Sequence, residues 1–208
     1  MEDSRREYKK NTLSESEVDA NPHAQFKVWF EQAEKSKNFE PNAFCLSTTA
    51  EGNRPSSRML LLKGHTEEGF IFYTNYESRK GGELSRQPLA SMLFFWPELE
   101  RQVRIEGKVE KTPPKLSDEY FASRPRDAQI SAVVSKQSSV VDGRESLESA
   151  WKIKANDTSG NIKRPDNWGG YLLRPEYIEF WQGREDRLHD RIVYKLSAGQ
   201  WLIQRLAP

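Results

Sequence analysis

A chain of 208 residues can bury a hydrophobic core and predicts one domain with room for an added arm. Its hydrophobic share of 36%, charged share of 30% and formal net charge of +1 are typical of an ordinary soluble protein, and the near-zero charge argues against a surface that coats nucleic acid. The single cysteine, Cys45, excludes an internal disulfide, and its apolar run at 43–46 favours a small buried hydrophobe over a reactive thiol.

The N-terminal residues 1–20 are polar and show no periodic apolar face, which predicts a flexible N-terminal arm in front of one domain at 21–208. The charged first residues have no apolar centre, so they are typical of neither a secretory signal nor a membrane anchor. No stretch of the chain approaches the roughly 20 apolar residues that a membrane span needs. We therefore expect a cytoplasmic protein.

The first predicted element is a helix that begins at Pro22. Asn21 is a suitable N-cap, and proline is favoured in a first helical turn. Phe26, Trp29 and Phe30 follow at the i, i+3, i+4 spacing that places side chains on one buried face. This spacing predicts an amphipathic helix packed on the domain.

After this helix the pattern changes to short apolar runs between turn residues, which is typical of β-strands. The sequence predicts a turn at Glu51-Gly52-Asn53 and a hairpin connection at 97–101. Gly81 and Gly82 weaken a short helix predicted at 77–86. The strands of this part are predicted at 43–49, 57–63, 70–74, 90–96 and 102–111.

A helical stretch and four further strands complete the chain. Pro125 separates two of the predicted helices, and a polar loop at 156–167 precedes the last strands. Strands, a helical insertion and more strands predict a mostly β fold, an antiparallel barrel with helices packed outside. These helices are predicted at 116–123, 127–135 and 146–155, and the strands at 170–174, 178–182, 192–196 and 201–205.

Two groups of polar and cationic residues adjoin predicted strands. Arg58 and Lys63 flank an apolar strand, where they could hold an anion at one rim of a barrel or simply be solvated strand ends. Tyr73 and Thr74 end a strand, and Ser78-Arg79-Lys80 begins the short helix, whose N-terminus would attract phosphate. An exposed basic first turn is the alternative, although the helix dipole disfavours cations there.

Two weaker groups follow in the second half of the chain. Gln102 and Arg104, with Gln137-Ser138-Ser139, could read the edge of a heterocycle through hydrogen bonds, or be commonplace surface groups. Tyr120 and Arg124 would share one face of a helix, where a phenol and a guanidinium suit phosphate binding. A surface stacking pair is the alternative, and it is the commoner arrangement for such residues.

The most informative pattern lies between the predicted strands that end at 182 and begin at 192. Arg187, His189 and Arg191 alternate, so on an extended strand they would face one way and repel each other unless an anion lay among them. His189 could be a proton acceptor, because its ordinary pKa lies near neutrality, or a hydrogen-bonded structural residue.

Two familiar kinds of site are not predicted. The chain has neither a Gly-x-Gly-x-x-Gly stretch nor a phosphate-binding Gly-x-x-x-x-Gly-Lys loop, so any nucleotide must be held in another way. The three histidines are scattered, His23 and His65 lie in polar sequence surroundings without a functional role, and there is one cysteine. We therefore expect no metal site.

Taken together and in this order, these stretches resemble the pyridoxamine 5′-phosphate oxidase family. The resemblance runs from about residue 22 to the terminal Arg205-Leu206-Ala207-Pro208 and includes Trp168-Gly169-Gly170-Tyr171. It implies an FMN-binding split β-barrel and a homodimer with flavin sites at the subunit interface. The residues that match the family's positions for flavin mononucleotide (FMN) are Arg58, Met59, Leu60, Leu61, Tyr73, Thr74, Arg79, Lys80, Gln102, Gln137, Ser138, Trp181 and Arg191.

The resemblance also implies a substrate site in which Arg187 and His189 have catalytic roles. Arg5 and Tyr8 resemble a segment that can fold over bound pyridoxal phosphate. The family usually has a serine where this chain has Ala128, so one hydrogen bond to phosphate, worth about 0.5–1.5 kcal/mol, would be absent. The matching substrate positions are Lys63, Tyr120, Arg124, Arg187, Leu188 and His189, the first three near the phosphate.

The activity that the resemblance implies is oxidation of pyridoxine and pyridoxamine 5′-phosphate to pyridoxal 5′-phosphate, a step in vitamin B6 biosynthesis and salvage. A hydride would pass to FMN, and O2 would reoxidise the flavin and give hydrogen peroxide. Three other functions stay open: a split-barrel reductase for another substrate, a non-catalytic store of flavin or pyridoxal phosphate, and a basic nucleic-acid binder. The Arg187-Leu188-His189 run argues against the first, and the net charge against the last.

Overall fold

The computed structural model describes residues 7–157 and 160–208. Within these ranges all paired strands are antiparallel and belong to one sheet, as predicted. The strands are β1 Ala43–Thr49, β2 Pro55–Leu61, β3 Gly64–Thr66, β4 Gly69–Asn75, β5 Leu89–Trp96, β6 Arg101–Lys111, β7 Trp168–Gln182, β8 Asp190–Ser197 and β9 Gln200–Arg205. The helices are α1 Pro22–Lys35, α2 Arg79–Arg86, α3 Pro114–Ser123, α4 Arg126–Val134 and α5 Arg144–Ala155.

Helix α1 begins as its sequence predicts. The Asn21 side chain accepts a hydrogen bond from the backbone N–H of His23, and Pro22 occupies the first turn. Phe26 and Trp29 are almost fully buried, and their rings meet the sheet at Phe94 and Phe180 with centroid distances of 5.3 and 5.1 Å. The apolar face of the helix therefore closes one side of the core.

Strand β7 organises the sheet, whose order is β2-β1-β5-β6-β7-β4-β3, with β8 and β9 joined to β7. One edge of β7 pairs with β6, while the other edge pairs first with β4 and then with β8. The sequence predicts two strands here, interrupted near Pro175, and this is wrong. A bulge between Glu106 and Gly107 absorbs the irregularity, because Gly107 pairs with Pro175 and its missing Cβ would lie 1.9 Å from the Arg174 carbonyl oxygen.

Smaller differences from the predicted elements follow from local chemistry. Strand β2 ends at Leu61 and not at residue 63, so Leu62 turns into the core and Lys63 lies outside the strand. Cys45 is only partly buried, because alternation on β1 directs Phe44 and Leu46 into the core and Cys45 to the other face. The expectation of a buried cysteine is therefore wrong.

The expectation that His23 and His65 lie in polar surroundings is also wrong. Their rings stack at 5.3 Å, and Nδ1 of His23 and Nε2 of His65 are 3.1 Å apart. Both rings pack against Phe70, and the His65 ring meets Phe26 at 4.9 Å. Burial lowers the pKa of both imidazoles, that of His65 to about 4. Neutral histidines here form part of an aromatic cluster between α1 and the sheet.

Residues 7–20, the described part of the predicted arm, lie against the domain. The backbone N–H groups of Lys9 and Lys10 donate to the carboxylate of Glu100 at 2.9 and 3.1 Å. Leu13 is buried, and its N–H donates to Asp190 at 3.1 Å. These contacts show where the segment rests, while its flexibility stays a prediction. None of the helices in the described ranges has the length and apolar character to cross a membrane.

Candidate active site

The N-terminus of α2 and the end of β4 form a cationic group that we call the α2 cluster: Arg58, Thr74, Arg79, Lys80 and Gln137. Ser78 caps the helix by accepting a hydrogen bond from the backbone N–H of Gly81 at 3.3 Å. Gly81 is required there, because a Cβ would lie 2.1 Å from the Tyr76 carbonyl oxygen. The predicted helix start is therefore present, while its attraction for phosphate stays a prediction.

Lys80 is buried at the centre of this cluster. Its Nζ donates to Thr74 Oγ1 at 3.1 Å and to Gln137 Oε1 at 3.0 Å. Among the described residues no carboxylate lies within ion-pair distance of this ammonium. Burial, reinforced by the charge of Arg58, lowers the pKa of Lys80 to about 8. Such a cation gains energy from an added anion.

Glu83, which the sequence analysis missed, holds the two arginines of the α2 cluster. Its carboxylate accepts from Arg58 Nη2 and from Arg79 Nε, both at 2.9 Å, and from the Thr48 hydroxyl. Burial opposes ionisation, but these hydrogen bonds keep the pKa of Glu83 below its ordinary value. The i, i+4 spacing of Arg79 and Glu83 was the sequence signal for this ion pair.

A second group lies beside the first and is called the aromatic stack: Tyr73, Tyr120, Trp168 and Arg124. The Tyr73 and Tyr120 rings stack at 3.9 Å, and the Arg124 guanidinium lies 4.7 Å from the Trp168 ring centroid. Nη1 of Arg124 is buried and has no hydrogen-bond partner among the described residues. Burial lowers the pKa of Arg124. Tyr73 and Thr74 are neighbours on β4, so the two groups lie on opposite faces of one strand.

Three other predicted cofactor residues form a row across the far end of β7. Gln102 on β6 pairs with Trp181, which in turn pairs with Arg191 on β8. Arg191 is fixed by Glu179, whose carboxylate accepts from its Nε at 2.7 Å and from Arg104 at 2.8 Å. The row presents an amide, an indole and a guanidinium side by side.

The loop between β7 and β8 does not have the extended conformation that the alternation of Arg187, His189 and Arg191 predicts. Asp186 and Arg187 have positive φ angles of 54° and 61°, and β8 begins only at Asp190. Only Arg191 is therefore on the strand, while Arg187 and Leu188 are exposed in a tight turn. Nδ1 of His189 accepts a hydrogen bond from the backbone N–H of Arg184 at 3.1 Å.

The aromatic neighbours of His189 come from two distant parts of the chain. Its ring lies 4.7 Å from that of Trp181 and 5.9 Å from that of Tyr8. Gly183 leaves room for Tyr8, because a Cβ there would lie 2.7 Å from the tyrosine ring. Arg5, the other arm residue singled out in the sequence, lies outside the described residues.

The remaining predicted residues take separate positions. Ser138 follows Gln137 in a tight turn with a φ of 74°. On β2, Met59 is exposed while Leu60 packs against the core. Lys63 is exposed and lines a cavity of about 640 Å³ beside α1, and none of the residues that line this cavity belongs to the aromatic stack. Leu61 ends β2, and Ala128 lies in the first turn of α4.

Within one protomer the predicted residues thus fall into two sets. The α2 cluster and the aromatic stack lie near Trp168, where β7 begins, whereas the Gln102–Trp181–Arg191 row and His189 lie where it ends. Trp168 and Trp181 are separated along the strand by roughly 40 Å at about 3.3 Å per residue. One chain does not bring all the predicted residues to one ligand.

Family models match most of the chain. Residues 31–152 match the model described as pyridoxamine 5′-phosphate oxidase. Residues 168–208 match the model described as the pyridoxine 5′-phosphate oxidase C-terminal dimerisation region. The second match begins at the first residue of β7.

Relatives and solved structures agree with these matches. A pyridoxine/pyridoxamine 5′-phosphate oxidase of Paraburkholderia phymatum is 51% identical over 209 residues, which cover 100% of this chain and 99% of the relative. The structure of PhzG from Burkholderia lata 383, in complex with tetrahydrophenazine-1-carboxylic acid, has a TM-score of 0.90 at 29% identity, covering 95% of this chain and 98% of that chain.

A pyridoxamine 5′-phosphate oxidase-related, FMN-binding protein from Nostoc punctiforme PCC 73102 shares the fold. Its TM-score is 0.73 at 17% identity, covering 95% of this chain and 100% of that chain. The predicted fold class, a mostly β split barrel with added helices, is confirmed. From these matches over its whole length, the chain belongs to the pyridoxamine 5′-phosphate oxidase family.

Proposed function

We propose that this chain oxidises pyridoxine 5′-phosphate and pyridoxamine 5′-phosphate to pyridoxal 5′-phosphate, with FMN as cofactor. The observation that carries the proposal is a pair of cations on either side of β4, Lys80 and Arg124, both without a carboxylate partner among the described residues. A buried cation without a counter-ion is costly unless a ligand supplies the charge. Two such positions suit two phosphorylated molecules bound next to each other.

The α2 cluster fits the phosphate of FMN. The cluster holds three cations, Arg58, Arg79 and Lys80, beside one carboxylate, Glu83. When all four are ionised the net charge is +2, and this charge balances a phosphate dianion. Thr74 and the helix N-terminus add neutral donors. The row of Gln102, Trp181 and Arg191 offers groups that hydrogen-bond to the edge of a flavin ring. FMN, when bound, supplies the two-electron oxidation and passes the electrons to O2, which gives hydrogen peroxide.

The aromatic stack fits the phosphate of the substrate. Arg124 offers an unpaired guanidinium nitrogen, and the Tyr120 phenol lies on the same helical segment. Lys63 would add a third donor. Arg187 and His189 would position the 4′ amine or alcohol from the other face of the pyridine ring. In this arrangement the protein supplies charge and orientation.

We further propose that a homodimer completes the site. The two sets of residues lie at opposite ends of β7 in one protomer, roughly 40 Å apart along the strand. Met59 on β2 and Phe95 on β5 are 64% and 53% exposed. A second copy placed across this face would bring the Gln102–Trp181–Arg191 row and His189 of each copy to the α2 cluster and the aromatic stack of the other. Each FMN would then lie between subunits, and the two-fold symmetry of an isologous interface would make the two sites equivalent.

The N-terminal arm is proposed to cover bound ligand. Tyr8 lies edge-on to Trp181 at 5.7 Å and close to His189, so the arm crosses the loop that carries the predicted catalytic residues. If the arm released its hydrogen bonds to Glu100 and Asp190, the loop would become accessible to ligand. The cytoplasmic location stays a prediction.

The visible spectrum of the purified protein tests the proposed function. We expect a yellow protein whose flavin band bleaches on anaerobic addition of pyridoxamine 5′-phosphate and returns when oxygen is admitted, with pyridoxal 5′-phosphate and hydrogen peroxide as products. A yellow protein that does not bleach with either vitamer phosphate would indicate a flavin store or a different substrate. A protein that does not take up FMN at all would refute the proposal.

A further inference from the structure

The hydrogen bond to His189 determines where its proton lies. The donor is the backbone N–H of Arg184, 3.1 Å from Nδ1. A backbone N–H can only donate, so Nδ1 must offer its lone pair and carries no proton. In the neutral imidazole the proton is then on Nε2, and that nitrogen is a donor.

The segment that supplies this N–H is held by Asp190. The carboxylate of Asp190 accepts from Arg184 Nη1 at 2.8 Å, from Arg205 Nη1 at 2.7 Å and from the backbone N–H of Leu13 at 3.1 Å. Its pKa is lowered, because these hydrogen bonds outweigh burial. Asp190 therefore ties together the strand β9, the arm and the residue that faces His189.

The surroundings of the ring favour the neutral form. Burial and the positive charge of Arg187 lower the pKa of His189, and Asp190 acts in the opposite direction. Protonation of Nδ1 would also place two donors, that nitrogen and the Arg184 N–H, against each other. Trp181 at 4.7 Å restricts rotation of the ring.

We propose that Arg184 and Asp190 fix neutral His189 as the tautomer protonated on Nε2, so that His189 donates a hydrogen bond to the substrate and does not take a proton from it. The tautomer follows from the contacts alone, whereas the part about the substrate rests on the proposed function. Arg184 and Asp190 are positioning residues, and His189 is the group that meets the substrate. This answers the alternative left open by the sequence, a proton acceptor or a hydrogen-bonded residue.

Long-range ¹H–¹⁵N spectra of the purified full chain labelled with ¹⁵N-histidine test the tautomer. The chain has only three histidines, and His189→Gln identifies the signals of this one by their loss. At neutral pH we expect an unprotonated Nδ1 and a protonated Nε2. A proton on Nδ1, or a cationic ring at neutral pH, would overturn the proposal.

The positioning role is tested by Asp190→Asn, which removes both ion pairs of that carboxylate. We expect the His189 signals to show a mixture of tautomers and the KM for pyridoxamine 5′-phosphate to rise several-fold more than kcat falls. Where this variant does not fold, Arg184→Gln removes one of the same ion pairs and keeps the backbone N–H. Glu110→Gln, which breaks the exposed ion pair with Arg174, is the matched control and should change neither signal nor KM. A tautomer that survives Asp190→Asn and Arg184→Gln unchanged would contradict the role of these residues.

Kinetics separate a donor from a base. The amide of His189→Gln can donate a hydrogen bond but cannot accept a proton at neutral pH, and His189→Leu can do neither. We expect kcat of the glutamine variant to stay within about tenfold of the unmodified chain, and that of the leucine variant to fall by about 10²-fold or more. Equal loss in both variants would indicate a base and sink the donor role. If the unmodified chain oxidises neither vitamer phosphate, the proposed function fails, while the NMR result still decides the tautomer.

Discussion

At the scale of single residues, Arg187 has a position that suits catalysis more than cofactor binding. It is exposed in a turn with a φ of 61°, next to His189 and apart from the α2 cluster. We expect Arg187→Leu to lower kcat with pyridoxamine 5′-phosphate by about 10²-fold or more, because the guanidinium no longer orients the substrate. FMN affinity, measured by quenching of flavin fluorescence, should change little.

Arg174→Leu is the control for this variant, since Arg174 forms exposed ion pairs with Glu68 and Glu110 and belongs to none of the residue groups of the candidate site. It should leave both quantities near those of the unmodified chain. Parallel losses of turnover and FMN affinity in Arg187→Leu would show that this arginine serves the cofactor.

If Lys80 binds the phosphate of FMN as proposed, we expect FMN binding to depend on pH. Its pKa, about 8 because of burial and the nearby Arg58, means that the ammonium is charged below this pH and neutral above it. In the proposed site the phosphate of FMN would lose one cationic partner as pH rises, and we expect the Kd of FMN to increase above pH 8 by up to about tenfold per pH unit. Titrations of FMN fluorescence between neutral and alkaline pH measure this.

Riboflavin, which has no phosphate, provides the comparison, and its Kd should stay flat across the same range. Lys80→Arg keeps its charge to higher pH and should move the rise in the FMN curve upward. FMN and riboflavin curves that run in parallel would contradict a role for Lys80 at the phosphate.

Many of the cationic and hydroxyl residues of the candidate site can be predicted from the sequence, because few residue types donate hydrogen bonds to phosphate. Thr74 and Lys80 are hydrogen-bonded, as their grouping along the chain predicts, whereas the sequence groups Arg58 with Lys63 and the fold places it in the α2 cluster through Glu83. The carboxylates that orient the cations are harder to predict: Glu83 has a local signal only in its i, i+4 spacing from Arg79, whereas its pairing with Arg58 and that of Asp190 with Arg205 join different elements. A sequence pattern reports neighbours on one helix or strand, and tertiary ion pairs lie outside its reach.

At the scale of elements, the two glycines of α2 are expected to differ. A Cβ at Gly81 would lie 2.1 Å from the Tyr76 carbonyl oxygen, whereas at Gly82 it would meet nothing within 4 Å. Gly81→Ala should lower the free energy of unfolding by about 1–3 kcal/mol and weaken FMN binding, because the helix start must shift. Gly82→Ala should raise it by about 0.5–1 kcal/mol, since alanine favours the helix.

Urea unfolding followed by circular dichroism measures both variants, each the control for the other. The two variants each add one methyl group to α2, so they differ only in whether that group has room at the helix start. Equal effects on unfolding would show that this close approach does not constrain α2.

The strands were predicted well where alternation is clear and badly where it is not. β1 matches its predicted range from Ala43 to Thr49, because one buried face gives an unambiguous period of two. The short β3 was missed, since three residues carry no period. In place of β7 the sequence predicts two strands, at 170–174 and 178–182, and the bulge in β6 is what lets one strand continue through Pro175.

At the scale of the whole molecule, the His23–His65 pair couples stability to pH. Both imidazoles have lowered pKa values in the folded chain, His65 about 4 against 6.5 when unfolded, so the unfolded chain binds more protons between these values. Stability is therefore fully present above pH 6.5 and is lost as pH falls towards 4, with a slope from His65 of up to about 1 kcal/mol per pH unit. Glu67 opposes the shift, and Lys27 adds to that of His65.

His65→Phe should flatten this slope, because phenylalanine stacks on Phe70 without titrating. Urea unfolding at a series of pH values measures the slope, and the difference from the unmodified chain at pH 7.5 gives the pH-independent cost of the change in packing. An unaltered slope in the variant would place the acid sensitivity elsewhere in the chain.

Strand β7 has a consequence for synthesis of the protein. It pairs with β6, β4 and β8, yet it begins only at Trp168, near the end of the chain. Until residues 168–182 have left the ribosome, β4 and β6 each have an unpaired edge, and such edges recruit other strands. The barrel therefore cannot close until β7 has been synthesised, and nascent chains that stall before residue 168 would be the species that chaperones must shield.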